Sequence, residues 1–187
     1  MSRSVLYLNI DPIPDRFLVS EVERIAKAFF GRVVTNIARE PNFAKAVRWC
    51  WLKPETQYFF HLEDDWEMDR CFDVNELAGH LNRHKDLVCA NLRACECDPQ
   101  DARINLHPGL FRTSEARLIA KVLDYKHNPE RQMRPLTETN PGGGKHGNLK
   151  GLQVPKYTIL NDIGREWLER VGWRKTFPIT FNRWERA

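Results

Sequence analysis

Long apolar runs and an even number of cysteines are two features that this sequence lacks. No apolar run approaches the roughly 20 residues that a membrane-spanning helix needs, so we expect no membrane partner. Residues 1–4 lead directly into a predicted strand and do not resemble a secretory signal. We therefore expect a cytoplasmic protein.

The five cysteines form an odd set in a chain without a secretory signal, and this predicts reduced thiols. A zinc site is an alternative, because two histidines four residues apart precede the last three cysteines. Its ligands would come from His80, His84, Cys89, Cys95 and Cys97. The spacing of the last two is not the usual zinc pattern, and Cys89 lies in an apolar run, so buried thiols are the default expectation.

What the chain does contain is typical of one folded domain. It has 187 residues, of which 42% are hydrophobic, and a net charge of +4. The positive excess lies in residues 145–187, where nine Lys or Arg accompany four acids and several tryptophans. Such a segment can bind phosphate or nucleic acid, and it is equally typical of a solvated amphipathic helix followed by a tail.

The hydrophobic pattern predicts alternating strands and helices in the first part of the chain. Strands are predicted at 5–10, 33–37 and 58–62, with helices between them that begin near Ser20 and at Asn42. This order predicts a parallel sheet with right-handed crossovers. Further along we expect a helix from Asp73, a strand at 87–92, a helix from Thr113 or Ser114, an irregular functional loop at 126–156 and a helix at 161–171.

The strand at 58–62 runs directly into three consecutive carboxylates, Glu63, Asp64 and Asp65. Adjacent acids repel one another and lose hydration at the mouth of a core strand, so stability alone does not favour them. A divalent cation would offset that cost, and oxygen ligands suit Mg²⁺ or Mn²⁺. The alternative interpretation is an acidic turn that caps the next element.

This arrangement resembles a glycosyltransferase of the A-type fold, close to the family-two group. The resemblance is carried by the strand that ends at Asp11, the helix that begins at Asn42, and the apolar strand that enters Glu63-Asp64-Asp65. It implies a compact single α/β domain over 1–187 with a central, mostly parallel sheet flanked by helices. Residues 1–70 would form the nucleotide-binding half, and 71–187 the sugar and acceptor half.

The resemblance also implies roles for individual residues in binding the nucleotide-sugar donor. Asp65 would bind the metal, and Asp64 would bind the metal or the ribose. Glu63 stands where the family usually has Asp. The remaining donor contacts would be Asp11, Arg39, Asn42, Lys45 and Arg112. Asp11 is equally a candidate for capping a turn before Pro12, and Asn42 for capping its helix.

In the second half of the chain, Asn128 to Arg134 resembles the segment that supplies the general base in this family. Glu130 would be the base and Arg134 a phosphate or acceptor contact, with Asp162 as a second candidate base. A helix start at Glu130 is the structural alternative. His146 resembles a late metal or diphosphate contact.

The resulting prediction is a glycosyltransferase that needs Mn²⁺ or Mg²⁺ and transfers a hexose to a hydroxyl group, with inversion. A phage-type enzyme that glycosylates a hydroxymethylated DNA base is one version, with the basic C-terminal segment on DNA and the host cytoplasm as its location. The alternatives are a zinc-containing module that binds nucleic acid and a nucleotide-sugar-binding protein without turnover.

Overall fold

The computed structural model describes residues 4–11, 16–94, 104–133, 149–164, 170, 172–176 and 183–186. They form a mixed α/β fold. The strands are β1 (Val5–Ile10), β2 (Arg32–Ile37), β3 (Tyr58–His61), β4 (Trp66–Met68), β5 (Leu87–Ala94), β6 (Gly109–Arg112), β7 (Lys150–Asp162), β8 (Trp173–Thr176) and β9 (Arg183–Arg186). The helices are α1 (Arg16–Phe29), α2 (Phe43–Leu52), α3 (Val74–Arg83), α4 (Thr113–Val122) and α5 (Pro129–Gln132).

The strands form three sheets. β1 and β2 pair in parallel, with Asn9 opposite Asn36, and α1 is the crossover between them. A second sheet has the order β3-β6-β5-β7-β4, and a small antiparallel sheet joins β8 to β9. The predicted α/β class and the parallel β1–β2 pair are confirmed.

The prediction of a central, mostly parallel sheet is wrong. In the five-stranded sheet only β5 and β7 run parallel, whereas β3–β6, β6–β5 and β7–β4 are antiparallel. Residues 104–108 return the chain beside β5, and β6 therefore runs against both of its neighbours. Short apolar runs cannot distinguish the two pairings, because both bury such strands.

The five-stranded sheet separates two hydrophobic clusters, because successive side chains of a strand point to opposite faces. On one face Phe111 packs against Trp51 of α2 and Ile119 of α4. On the other face Leu110 packs with Leu77 and Leu81 of α3. Burial of these side chains fixes which face of the sheet each helix covers.

Two helices start where the sequence predicts, at residues whose side chains accept a hydrogen bond from a backbone amide of the first turn. Asn42 accepts a hydrogen bond from Lys45 N at 2.9 Å, and Asp73 accepts one from Asn75 N at 2.8 Å, which confirms both predicted helix starts. The predicted start near Ser20 is wrong, because α1 begins at Arg16. The capping-box spacing at Ser20 falls inside a helix that already extends one turn upstream.

The C-terminal part differs most from prediction. The expected loop at 126–156 contains α5 and the beginning of β7, whereas residues 134–148 lie outside the described structure. The helix predicted from about residue 161 starts two residues later, because β7 continues through Asp162 and pairs with β4, and helical residues follow at 163–164 and at 170. Within the described residues no helix is both long and apolar enough to cross a membrane.

Candidate functional site

The acidic turn between β3 and β4 is held by the chain that follows β7. The carbonyl oxygen of Asp65 accepts hydrogen bonds from Ile163 N at 2.9 Å and Gly164 N at 3.4 Å. Gly164 lies so close to the Asp65 side chain that a Cβ at position 164 would overlap it. The glycine therefore allows the two segments to meet, and their contact fixes the backbone of the acidic turn.

Glu63 is the carboxylate most affected by this arrangement. Burial first, and then repulsion from Asp65, Glu130 and Asp64, raise its pKa from an ordinary 4.5 to about 8. Trp66 Nε1 donates to Glu63 Oε2 at 3.4 Å, which opposes the rise without reversing it. The turn therefore concentrates negative charge against a partly buried carboxyl group.

Asp11 brings the first strand into the same neighbourhood. Its pKa is raised by partial burial and then by repulsion from Asp64, and a hydrogen bond from Asn9 opposes the shift. β1 belongs to the small parallel sheet and β3 to the five-stranded sheet, yet the carboxylates that follow them interact. The carboxyl ends of these two strands thus meet at one edge of the molecule.

Glu130 reaches the cluster from a different part of the chain. It lies in α5, whose N-cap Asn128 accepts hydrogen bonds from Glu130 N at 2.9 Å and Arg131 N at 3.4 Å. Glu130 Oε1 accepts a hydrogen bond from Leu106 N at 3.1 Å, which ties α5 to the buried segment before β6. Glu130 is therefore close enough to repel Glu63, as Asp64 and Asp65 do, and Asp64 in turn repels Asp11; we call these five carboxylates the acidic cluster.

A cleft of 550 Å³ lies beside Asp11, along the carboxyl ends of β1 and β2. Asn36 Nδ2 donates to Asn9 Oδ1 at 2.7 Å, and Asn9 Nδ2 donates to Asp11 Oδ1 at 3.5 Å, which links the cleft wall to the acidic cluster. The wall also contains three residues predicted to contact the donor, Arg39, Asn42 and Lys45. Lys45 Nζ pairs with Glu40 in the same wall.

The cluster suits a cation that takes only part of its coordination from protein. In the described residues no three His, Cys, Asp or Glu side chains converge as a metal cage. Mg²⁺ commonly uses one or two carboxylates and completes its shell with water and substrate phosphates. One or two of the carboxylates Asp64 and Asp65 would fit that mode of binding, since a cation there would relieve the repulsion that raises the Glu63 pKa.

The structure does not bring Arg112 to this cluster. Arg112 pairs with Tyr58 at the opposite end of β3, and its guanidinium donates to the carbonyl oxygens of Leu81 at 2.7 Å and Leu87 at 3.3 Å. These bonds satisfy the end of α3 and the start of β5. A structural role accounts for this residue.

Two further predicted residues, Arg134 and His146, lie outside the described residues. Asp162 is the last residue of β7, opposite Trp66, which places it beside the acidic turn and directly before the helical residues 163 and 164. The basic C-terminal segment includes β8 and β9, whose side chains lie outside the described part of the structure.

The structure excludes Cys89 from a zinc site with His80, because the two lie on opposite sides of the five-stranded sheet. Cys89 is fully buried with Phe111 on the face covered by α2 and α4, whereas α3, which carries His80, packs on the other face. Burial raises the Cys89 pKa to about 12, so this thiol is protonated at neutral pH. Cys95 and Cys97 lie outside the described residues.

Sequence reasoning missed a row of buried polar side chains next to the cluster. The polar side chains are those of His61, Asn91 and Gln153 in β3, β5 and β7, and Gly109 of β6 stands in register between His61 and Asn91. Asn91 Nδ2 donates to Asn105 Oδ1 at 2.6 Å, one residue before the Leu106 amide that binds Glu130. Only the register shows this row, because each residue stands alone in an apolar stretch of sequence.

His61 links this row to the hydrophobic core. Its Nδ1 accepts a hydrogen bond from Trp51 Nε1 at 3.2 Å, and burial lowers its pKa to about 4. Its imidazole is therefore neutral at physiological pH, and Nε2 carries the proton. This neutral ring lies two residues before Glu63, so β3 passes from core to acidic cluster without adding a positive charge.

Comparison with known proteins adds no assignment, since no protein-family model, curated protein or solved structure matches this chain.

Proposed function

We propose that the protein is a metal-dependent glycosyltransferase that moves a sugar from a nucleotide-diphosphate donor to an acceptor hydroxyl group. The observation that carries the proposal is the electrostatic repulsion among the Glu63–Asp65 turn, Asp11 and Glu130, together with the cleft of 550 Å³ whose wall includes Asn9, which is hydrogen-bonded to Asp11. Nucleotide-sugar chemistry needs both parts, a polar cleft for the nucleoside and an acidic edge where a cation neutralises the diphosphate.

The cleft provides the groups that a nucleoside needs. Asn9 and Asn36 present amides, and Arg39 and Lys45 add positive charge near the donor phosphates. Asp11, which accepts a hydrogen bond from Asn9 of this wall, would be an acceptor for a ribose or base hydrogen. The volume of 550 Å³ falls within the range of small-molecule sites.

Asp64 and Asp65 would hold Mn²⁺ or Mg²⁺, with Glu63 in support. A bound cation supplies charge stabilisation for the diphosphate that leaves when the bond from the sugar anomeric carbon to phosphate breaks. The anchoring of Asp65 by residues 163 and 164 fixes the position of this charge before the donor binds.

Glu130 would take the proton from the acceptor hydroxyl group as its oxygen forms the new bond to the anomeric carbon. The acceptor oxygen would attack the face of the anomeric carbon opposite the diphosphate, which leaves with the electron pair of the broken bond, so the configuration inverts. The hydrogen bond from Leu106 N to Oε1 positions this carboxylate. Asp162, paired opposite Trp66, is the second candidate for this role.

A thermal-shift panel of nucleotide sugars with and without Mn²⁺ tests the proposal. One donor should raise the melting temperature by mass action, and more strongly with the metal. Asp64→Asn should abolish the metal-dependent part, because it removes one charge without changing the size of the side chain. Donor hydrolysis measured on the same proteins should fall at least about a hundredfold.

Asp86→Asn is the matched control, since Asp86 is an exposed acid outside the acidic cluster that pairs with Lys150 at 3.5 Å. It should leave donor binding and hydrolysis unchanged. The proposal fails if no donor shifts the wild-type protein, or if the two variants behave alike. If a donor binds but is not hydrolysed, the alternative of a nucleotide-sugar-binding protein without turnover would take the place of the transferase proposal.

A further inference from the structure

A second groove, of 340 Å³, lies on the outer side of α2 and combines positive charge with aromatic rings. Its wall contains Lys45, Arg48, Trp49, Leu52 and Lys53 of α2 and its C-cap, together with Asn36 and Tyr125. None of these described wall residues is acidic. We call this surface the α2 groove.

The spacing of the α2 residues explains why they share one surface. Positions 45, 48, 49 and 52 recur every three or four residues and therefore form one stripe along the helix. The opposite stripe, with Ala44, Val47 and Trp51, is buried in the protein. From Lys45 to Lys53 the stripe is about 12 Å long.

Cations and rings alternate within the groove. Lys45 Nζ lies 5.6 Å and Arg48 Cζ 5.9 Å from the centre of the Tyr125 ring, and Lys53 Nζ lies 5.3 Å from that of Trp49. Arg48 Nε donates to Ala120 O at 3.2 Å, and Asn42 Nδ2 donates to Tyr125 O at 3.1 Å. These bonds hold Arg48 and Tyr125 in place before a ligand arrives.

Acidic side chains neutralise only part of the positive charge of the groove. Lys45 pairs with Glu40, which lines the neighbouring cleft, whereas the described ion pairs include none for Arg48 or Lys53. An anionic chain could neutralise these cations and place flat groups against the rings. Single-stranded nucleic acid has both features, since its phosphates follow a basic path while its bases stack on aromatic side chains.

We infer that the α2 groove binds single-stranded nucleic acid. The inference is independent of the proposed transferase activity, because it uses neither the acidic cluster nor a sugar donor. It also differs from the prediction that the basic C-terminal segment contacts DNA. The α2 groove joins the donor cleft, with which it shares Asn36 and Lys45, so a bound strand would run toward that cleft.

Fluorescence anisotropy with a labelled oligothymidylate, without metal or nucleotide sugar, tests this inference on the full chain. Trp49→Ala should weaken binding about tenfold, because a stacked base loses its ring. Lys53→Glu should weaken binding and make its salt dependence shallower, because one phosphate contact is lost. An abasic strand of equal length should bind more weakly to the wild-type protein.

Matched changes elsewhere on the surface separate the groove from general charge or hydrophobicity. Phe29→Ala removes an exposed ring from α1, and Lys27→Glu reverses an exposed charge there, so neither should alter binding beyond about twofold. Tyr125→Ala repeats the ring test if Trp49→Ala unfolds. Melting curves identify the folded variants.

Equal binding by the abasic strand, or unchanged binding by folded Trp49→Ala and Lys53→Glu, would overturn the inference. Arg39→Ala, in the donor cleft, should retain most oligonucleotide binding while losing donor affinity. Asp64→Asn should retain oligonucleotide binding completely. The groove and the transferase proposal can therefore fail separately.

Discussion

The two ends of β3 carry charged residues in opposite circumstances. At the Tyr58 end, the Arg112 guanidinium binds the carbonyl oxygens of Leu81 and Leu87 and lies 5.7 Å from the Tyr58 ring centre. At the His61 end, Glu63 is raised in pKa by burial and by other carboxylates. At the Tyr58 end the cation is hydrogen-bonded to carbonyl oxygens, whereas at the His61 end carboxylates repel one another.

The difference separates stabilisation from function. Arg112 replaces water with carbonyl acceptors, so its charge helps to hold α3, β5 and β6 together. The acidic end lowers the stability of the unliganded protein, and repulsion of this kind is common where a protein prepares a site for a cation. Proximity of charged residues alone would not distinguish these two ends.

The largest expected effect is the loss of stability on removing the charge at the Tyr58 end. Arg112→Met should lower the free energy of unfolding by about 3 kcal/mol, because buried carbonyl oxygens lose a charged donor. Urea unfolding measures the change. Arg70→Met, at an exposed position, should change it by less than about 0.5 kcal/mol. Similar values for both would remove the distinction between the two ends.

Removing the charge of Glu63 should raise the free energy of unfolding, whereas removing the charge of Arg112 should lower it. Because the Glu63 pKa is higher in the folded protein than its ordinary 4.5, stability is greatest below that value and falls as pH rises toward about 8. Glu63→Gln should therefore stabilise the protein by about 2 kcal/mol at pH values above 8 and by little in acid.

The pH series has its own control in Glu67→Gln, which changes an exposed acid of β4. That variant should follow the wild-type stability across the whole range. If Glu63→Gln is less stable than the wild-type protein in alkali, the acidic end is not under electrostatic strain.

The smallest effect concerns two helix caps of similar strength. Asn42→Ala and Asp73→Ala should each lower stability by about 1 kcal/mol, because each removes one side-chain acceptor from a helix start. Only Asn42 lines the donor cleft, so only its replacement should also weaken donor binding in a thermal-shift titration. Equal donor affinity in the two variants would exclude Asn42 from the cleft's function.

These residues also show what the sequence could predict. Asn42 and Asp73 act within one helical turn, so their spacing sufficed, and the strands at β1 and β3 followed from apolar runs. The antiparallel course of β6 depends on pairing across distant segments, which no local pattern contains. The resemblance implied a role for Glu130 but not its neighbours, and the bond from Leu106 N, which ties α5 to the segment before β6, could not be predicted from either local sequence.

Other parts of the site were beyond sequence reasoning for the same reason. The contact between Gly164 and Asp65, the Asn9–Asn36 pair and the row through His61 and Asn91 all depend on register or on segments far apart in sequence. For Arg112 the error was the opposite one, because a functional role was predicted for a residue whose contacts are structural. Its residue type suits phosphate binding, but its partners are backbone carbonyl groups.

The central claim is that the carboxylates after β3 bind a cation that in turn holds a diphosphate. Anomalous diffraction from crystals grown with Mn²⁺ and the nucleoside diphosphate of the donor chosen by thermal shift tests it most directly. We expect a manganese peak within coordination distance of Asp64 or Asp65 and of a phosphate oxygen. A well-ordered diphosphate without manganese at these carboxylates, or manganese bound only elsewhere, would contradict the account.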